Sequence, residues 1–168
     1  HAQMITNSYL DGANLWMYWM AEQGYLVFTL DNRGSDNRGF AFESVIHGQL
    51  GVNEIADQMK GVDYLKSLPY VDGNRLAIHG WSYGGFMTTS IMLRQPDAFK
   101  VGVAGGPVTD WKYYEVMYGE RYMDTPAENQ KGFDQASTLN YVKDLKGKLL
   151  LIHGTSDDVV VMQHNFML

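Results

Sequence analysis

Arg75-Leu-Ala-Ile-His79, followed at once by Gly80-Trp-Ser-Tyr-Gly-Gly85, is the stretch on which the fold turns. The apolar run reads as a buried strand, and the serine bracketed by glycines reads as a sharp turn into a helix over 82–94. A serine hydroxyl is a poor nucleophile until a base takes its proton, and this kind of elbow lifts Oγ clear of the sheet where a base can reach it. The bare G-x-S-x-G pattern is weak in a chain with 18 glycines. Its position between a strand and a helix is what gives it weight. The alternative reading of Ser82 is a small residue chosen only for a tight turn.

Working outward, Val52, Ile55, Ala56, Met59, Val62 and Leu65 recur at helical spacing and predict an amphipathic helix over 53–67, with Pro69 beyond its end. Residues 12–23 have helical composition and Gly24 follows as a stop. Tyr25-Leu-Val-Phe-Thr-Leu30 is a continuous apolar run that predicts a strand covered on both faces, followed by the polar loop Asp31–Gly39. Val101-Gly-Val-Ala-Gly105 and Lys148-Leu-Leu-Leu-Ile-His153 predict two more strands. Strands alternating with helices at this spacing indicate an α/β fold: a parallel sheet with helices on both faces and right-handed crossovers. The stretch from Asp110 to Leu145 breaks the rhythm with short helices and is expected to pass over the strand ends, where ligands bind in open α/β sheets.

The chain of 168 residues suits one domain, which buries roughly 70% of the surface its unfolded form exposes. It has no cysteine, so disulfides and thiolate metal sites are excluded. A net charge of −6 without a basic run argues against nucleic acid as a partner. No apolar stretch approaches the roughly 20 residues that cross a bilayer. The chain opens at His1 without a readable address and stops inside an apolar segment at Leu168, so both ends are expected to continue into something longer.

An acid partner for Ser82 is expected just past a later strand, because Ser, then Asp, then His is the chain order of the α/β-hydrolase arrangement. Gly154-Thr-Ser-Asp157-Asp158 supplies that position. An ordinary Asx turn is the structural alternative. No histidine is a convincing general base: His1, His47, His79 and His153 precede the acid, and His164, seven residues beyond Asp157, reads as an exposed or packed helical residue. Trp111, Tyr114 and Tyr118, spaced three and four apart, would put three rings on one helical face, either as core or as a flat aromatic pocket for a rigid apolar ring. The scattered methionines read as core filler. Arg33 and Arg38 read as structural or paired with carboxylates.

With these residues in view, the chain resembles the catalytic domain of the prolyl oligopeptidase family of serine peptidases, in the dipeptidyl peptidase IV subfamily. The resemblance runs through Asp31-Asn-Arg-Gly-Ser35, Gly80–Gly85, Pro107-Val-Thr-Asp-Trp-Lys-Tyr-Tyr114, Tyr118-Gly-Glu-Arg-Tyr-Met123 and His153-Gly-Thr-Ser-Asp-Asp158. The Trp-Ser-Tyr elbow together with the Trp-x-x-Tyr-x-x-x-Tyr stripe is specific to that subfamily. The resemblance implies Ser82 as nucleophile, Asp157 rather than Asp158 as the acid, and the Tyr83 backbone N–H as an oxyanion donor. It also implies that Tyr83, Val108, Trp111, Tyr114, Tyr118 and Val160 line a pocket for proline. Residues 1–168 would then be a partial α/β-hydrolase catalytic domain. The base histidine is expected beyond Leu168, a second oxyanion donor upstream of His1, and a β-propeller domain elsewhere.

The implied activity is serine exopeptidase release of an N-terminal di- or tripeptide by cleavage after proline, through an acyl-enzyme. No metal or cofactor is expected. The implied partner is a peptide with proline near its N-terminus, with a homodimer possible and a periplasmic or secreted location implied by relatives. Val159 departs from the subfamily, which commonly has an asparagine there; the run Val159-Val-Val-Met-Gln-His164 is more similar to bacterial prolyl tripeptidyl aminopeptidases. A carboxylesterase on the same fold and a catalytically silent binding domain are the alternatives. The chain by itself, lacking a base and having an open sheet edge, is expected to be inactive and to self-associate.

Overall fold

Three short parallel strands carry the site, and the helices between them set where their ends lie. A computed structural model describes residues 15–168. In chain order the elements are α1 (Leu15–Glu22), α2 (Phe40–Glu43), a 3-10 turn at Ser44–Ile46, α3 (Asn53–Ser67), β1 (Ala77–Trp81), α4 (Tyr83–Arg94) and β2 (Val101–Gly105). A 3-10 turn at Trp111–Tyr113, α5 (Val116–Met123), α6 (Gln130–Ala136), a 3-10 helix at Thr138–Asp144, β3 (Lys148–Ile152) and α7 (Gln163–Met167) follow. The sheet order is β1-β2-β3, with Ala77 opposite Val101 and Val101 opposite Lys148.

Strand register sorts the side chains into two faces. Ile78, Gly102 and Leu149 share one face with Gly80, Ala104 and Leu151. This face receives α4: a Cβ on Gly102 would lie 2.8 Å from Met92 Cγ. Every residue of α4 from Gly85 to Leu93 is buried, including Thr88, Thr89 and Ser90, as befits a helix packed on all sides. Phe86, Ile91 and Met92 join Leu50, Trp111, Met123 and Phe133 in the core. The opposite face carries His79, Trp81, Leu150 and Ile152. There Trp16 of α1 lies 5.1 Å from the His79 ring, while Leu150 stays 55% exposed.

Helix α3 spans the predicted residues, with Ile55 and Val62 buried and Ala56 exposed. Glu54 in its first turn and Lys66 in its last complement the helix dipole. The elbow strand sits slightly later than the 75–80 expected, β2 matches its predicted span, and β3 ends one residue before His153. Positions 12–14 of the first predicted helix lie outside the described residues.

The strand expected over Tyr25–Leu30 is absent. That run forms no strand, and its later part, Phe28 and Leu30, lies along α3 while Tyr25 and Leu26 are exposed. The Leu30 carbonyl accepts from Gln58 Nε2 at 3.0 Å, Leu30 packs on the bare backbone of Gly61, and Phe28 meets Tyr64 at 6.0 Å between ring centres. An apolar run becomes a strand only where another backbone edge takes its hydrogen bonds, and among the described residues none does. Arg33 and Arg38 are paired as expected, Arg33 in a two-pronged contact to Asp57 at 2.8 Å per prong and Arg38 to Asp31 at 3.3 Å.

Among the described residues, no helix is long and apolar enough to cross a membrane.

Candidate active site

Ser82 stands between β1 and α4 with φ 56° and ψ −114°, a left-handed conformation that costs a non-glycine residue about 1–3 kcal/mol. The surrounding packing enforces it. The Ser82 amide donates to the Gly105 carbonyl at 2.8 Å, and its own carbonyl accepts from Phe86 N at 3.0 Å. A Cβ on Gly80 would come within 2.2 Å of the Gly84 oxygen, and one on Gly85 within 2.4 Å of the Gly105 oxygen. Only glycine lets the chain fold back this closely at the two positions. The Tyr83 amide is the first of α4, so it has no partner within the helix and lies at the positive end of the helix dipole.

Asp157 lies in the turn after β3, whose strand neighbour β2 is also the neighbour of β1. Its Oδ1 accepts from Val159 N at 3.0 Å and Val160 N at 2.9 Å. The Asx turn weighed as an alternative is therefore present, and it orients the carboxylate. Oδ2 is left over. It lies 3.8 Å from His153 Nε2 and 3.7 Å from the position a Cβ would take on Gly106, the residue after β2. Asp158 is exposed. The three strand ends thus bring Ser82, Gly106 and Asp157 to one edge of the sheet.

The five histidines sort as follows. His79 meets Trp16 on the open sheet face. His153 is buried, with Nε2 against the Val160 carbonyl and Nδ1 without a partner. His47 faces Asp124 at 3.5 Å. His164 is fully buried and accepts the Thr109 amide at Nδ1, 3.2 Å away; burial, and secondarily His153, holds its pKa below the ordinary histidine value. His1 lies outside the described residues. Among the described residues, no histidine hydrogen-bonds Ser82.

Tyr83, Val108, Trp111 and Val160 are buried in one cluster, with Tyr114 and Tyr118 packed against it. Trp111 is its centre. Its ring stacks on Tyr118 at 5.7 Å and 11°, meets Tyr114 edge-on at 5.3 Å, and lies 5.7 Å from Tyr83. The single helical face expected for Trp111, Tyr114 and Tyr118 does not exist. Asp110 caps the short turn at Trp111–Tyr113, Tyr114 is extended, and Glu115 caps α5 afresh, so the rings converge from two elements across a break. Burial raises the Tyr114 hydroxyl pKa and, further, that of Tyr118, so both phenols stay neutral. A cleft at the far end of α4, lined by Leu93–Pro96, Tyr141 and Lys143–Lys146, lies away from this cluster.

Sequence reasoning missed Glu54. It is 0% exposed, and its Oε1 accepts the Tyr83 hydroxyl while Oε2 accepts Gly51 N at 3.1 Å. The offset of three residues from Gly51, that of a capping-box glutamate, could have suggested the second bond. Nothing in the spacing predicts the first, which spans 29 positions.

A parallel sheet with a strained serine at a strand-to-helix elbow, and an acidic turn two strand ends away, defines an α/β-hydrolase, seen here in part. The Prolyl oligopeptidase family profile matches residues 13–168. The chain belongs to that family. It is 36% identical to human dipeptidyl peptidase 8 over 99% of its own length and 19% of that protein, and 43% identical to a Grosmannia clavigera protein assigned as a dipeptidyl-aminopeptidase B, over 90% and 16%. Among solved structures, it superimposes with a TM-score of 0.94 and 56% identity on a Bacteroides ovatus protein assigned as a dipeptidyl aminopeptidase IV, covering 99% of the chain and 24% of that structure. For Porphyromonas gingivalis dipeptidyl peptidase 4 the values are 0.88 and 40%, over 90% and 22%. The chain therefore spans about a fifth of the length of these relatives.

Proposed function

We propose that this chain supplies the nucleophile, the orienting acid and the proline pocket of a serine exopeptidase that cleaves after proline and releases an N-terminal di- or tripeptide. The observation that carries the reading is Ser82, held at φ 56° on the sheet edge that also bears the Asp157 carboxylate, with the Trp111 ring cluster adjoining through Tyr83. A serine is kept in so costly a conformation only where the surrounding structure overdetermines it, and exposure of Oγ to a substrate is the return.

In this reading Ser82 Oγ attacks the carbonyl carbon of the proline residue itself, and its proton passes to an imidazole base. Asp157 Oδ2 holds that imidazole, since Oδ1 is occupied by two backbone amides. By the family resemblance, we propose that the base is a histidine that follows Asp157 in the full-length protein. The developing oxyanion faces the Tyr83 amide at the start of α4. The amine leaves with the proton, and water hydrolyses the acyl-enzyme. A proline ring, rigid and apolar, matches the neutral aromatic walls of Trp111, Tyr114 and Tyr118.

The test is turnover by the full-length protein of a prolyl anilide bearing a free N-terminus, against a short acyl ester. We expect preference for the anilide, and Ser82→Ala should lower kcat on the order of 10⁵-fold or more. Product masses separate dipeptide from tripeptide release. Activity on the ester alone would replace the peptidase by a carboxylesterase, and no activity on either would leave a binding domain.

A further inference from the structure

Behind the elbow lies a buried carboxyl that the proposed chemistry does not use. Glu54 is fully buried beside the first turn of α4, and both of its oxygens are engaged, one by the Tyr83 hydroxyl and one by the Gly51 amide. Arg94, at the other end of α4, donates to the Gly51 carbonyl at 3.1 Å. Taking a carboxyl out of water is expensive and weak as a source of stability, so its retention calls for another explanation.

Tyr83 is the one residue of the elbow with two proposed duties. Its amide faces the oxyanion, and its ring forms a wall of the pocket, 5.7 Å from Trp111 and 5.4 Å from Phe86. A phenyl ring in that place would be held by packing alone. The hydroxyl adds a fixed point, because Glu54 is itself anchored through Gly51 to the loop entering α3. Burial pushes the Glu54 carboxyl pKa up and the Tyr83 phenol far up, so the bond sits in a dry setting where a hydrogen bond is strongest.

We infer that Glu54 is a positioning residue for the reaction proposed above: through the Tyr83 hydroxyl it fixes both the oxyanion-facing amide and the pocket wall against α3. The inference rests on that functional reading, and wild-type turnover of the prolyl anilide tests the reading separately.

The experiment uses the full-length protein with Tyr83→Phe, Glu54→Gln and Glu54→Ala singly, and with Tyr83→Phe combined with Glu54→Ala. A displacement near 1 Å at the reacting centre costs up to about 100-fold, so we expect Tyr83→Phe and Glu54→Ala each to lower kcat about tenfold or more with KM changed far less. The double variant should be no worse than the poorer single, because the bond between the Tyr83 hydroxyl and Glu54 that Tyr83→Phe removes is already absent in Glu54→Ala. Glu54→Gln, whose oxygen takes the Gly51 N–H while its amide donates to the Tyr83 oxygen, keeps the tie to the hydroxyl and should recover most of kcat. Affinity for a prolyl boronate, whose tetrahedral adduct occupies the oxyanion position, should fall in parallel with kcat. Tyr83→Phe loses only a hydroxyl, so it remains informative where Glu54→Ala fails to fold. Wild-type kcat in Tyr83→Phe, single effects that multiply in the double variant, or boronate affinity that stays constant while kcat falls would each overturn the assignment.

Discussion

At the scale of single residues, Ser82 sets conformational strain against chemistry. Its positive φ is maintained by the Gly105 carbonyl, the close approach of Gly80 to Gly84, and the bare face of Gly85. Ser82→Ala and Ser82→Gly both lose the hydroxyl, yet only glycine sheds the Cβ that makes this conformation costly. The glycine variant should therefore be more stable than the alanine variant, by about 1 kcal/mol, with turnover abolished in both. Chemical denaturation midpoints at a shared m-value would check this, and an alanine variant as stable as the glycine one would remove strain from the account. Asp157 teaches a related lesson: the Asx turn and the proposed catalytic carboxylate are one geometry, because the turn takes Oδ1 and leaves Oδ2 toward Gly106.

At the scale of elements, α7 is tied to the loop after β2 through His164, by its ring and its backbone carbonyl. His164 accepts the Thr109 amide at Nδ1, and the Thr109 hydroxyl donates to the His164 carbonyl at 2.9 Å. Burial lowers the His164 pKa, with His153 adding to the effect and the Tyr113 backbone and Asp110 opposing it. A histidine with a depressed folded pKa binds fewer protons than its unfolded counterpart. Its contribution to stability is complete above the unfolded value near 6.5 and is lost as pH falls through the folded one. Thermal unfolding of the full-length protein between about pH 8 and 5 should show this loss, and His164→Asn, which keeps an acceptor but does not titrate, should flatten it. An unchanged pH profile in that variant would contradict the role given to His164. The elements also show what periodicity can reveal. The span of α3 was readable because Ile55, Met59 and Val62 recur on one face of a helix that packs as an ordinary amphipathic element. The run at Tyr25–Leu30 was misread because only Phe28 and Leu30 meet α3 while Tyr25 and Leu26 stay more than half exposed, and an apolar composition shows neither a pairing strand nor a covering face. The aromatic stripe was right in its membership as a cluster and wrong in its helix, since Asp110 and Glu115 each begin a new turn.

At the scale of the whole molecule, β1 and β3 each have one edge without a paired strand among the described residues, and one sheet face leaves Trp81, Leu150 and Ile152 exposed. Unpaired edges with apolar neighbours invite association. The 168-residue chain expressed alone should therefore form concentration-dependent oligomers in sedimentation velocity, and it should not hydrolyse the prolyl anilide. Leu150→Lys, which places a charge on the exposed face, should reduce association. A monomer at all accessible concentrations, or measurable turnover by the isolated chain, would count against this picture.

The family resemblance supplied the preference for Asp157 and the pocket residues Tyr83, Val108 and Val160, whereas the sequence by itself determined the α/β class, the elbow, the spans of α3 and β2, and Ser82 and the acidic turn as candidates for nucleophile and acid. These are local properties: hydrophobic period, turn chemistry and chain order act over a few residues and leave direct marks in the text of the chain. Only the tertiary structure decided that β1, β2 and β3 end together, so that Ser82, Gly106 and Asp157 share an edge, and that the rings of Trp111, Tyr114 and Tyr118 meet across a break in the helix. It alone revealed Glu54 beneath Tyr83. Such contacts depend on strand register and on how helices settle against the sheet, which are set by the joint packing of the core and by no single segment.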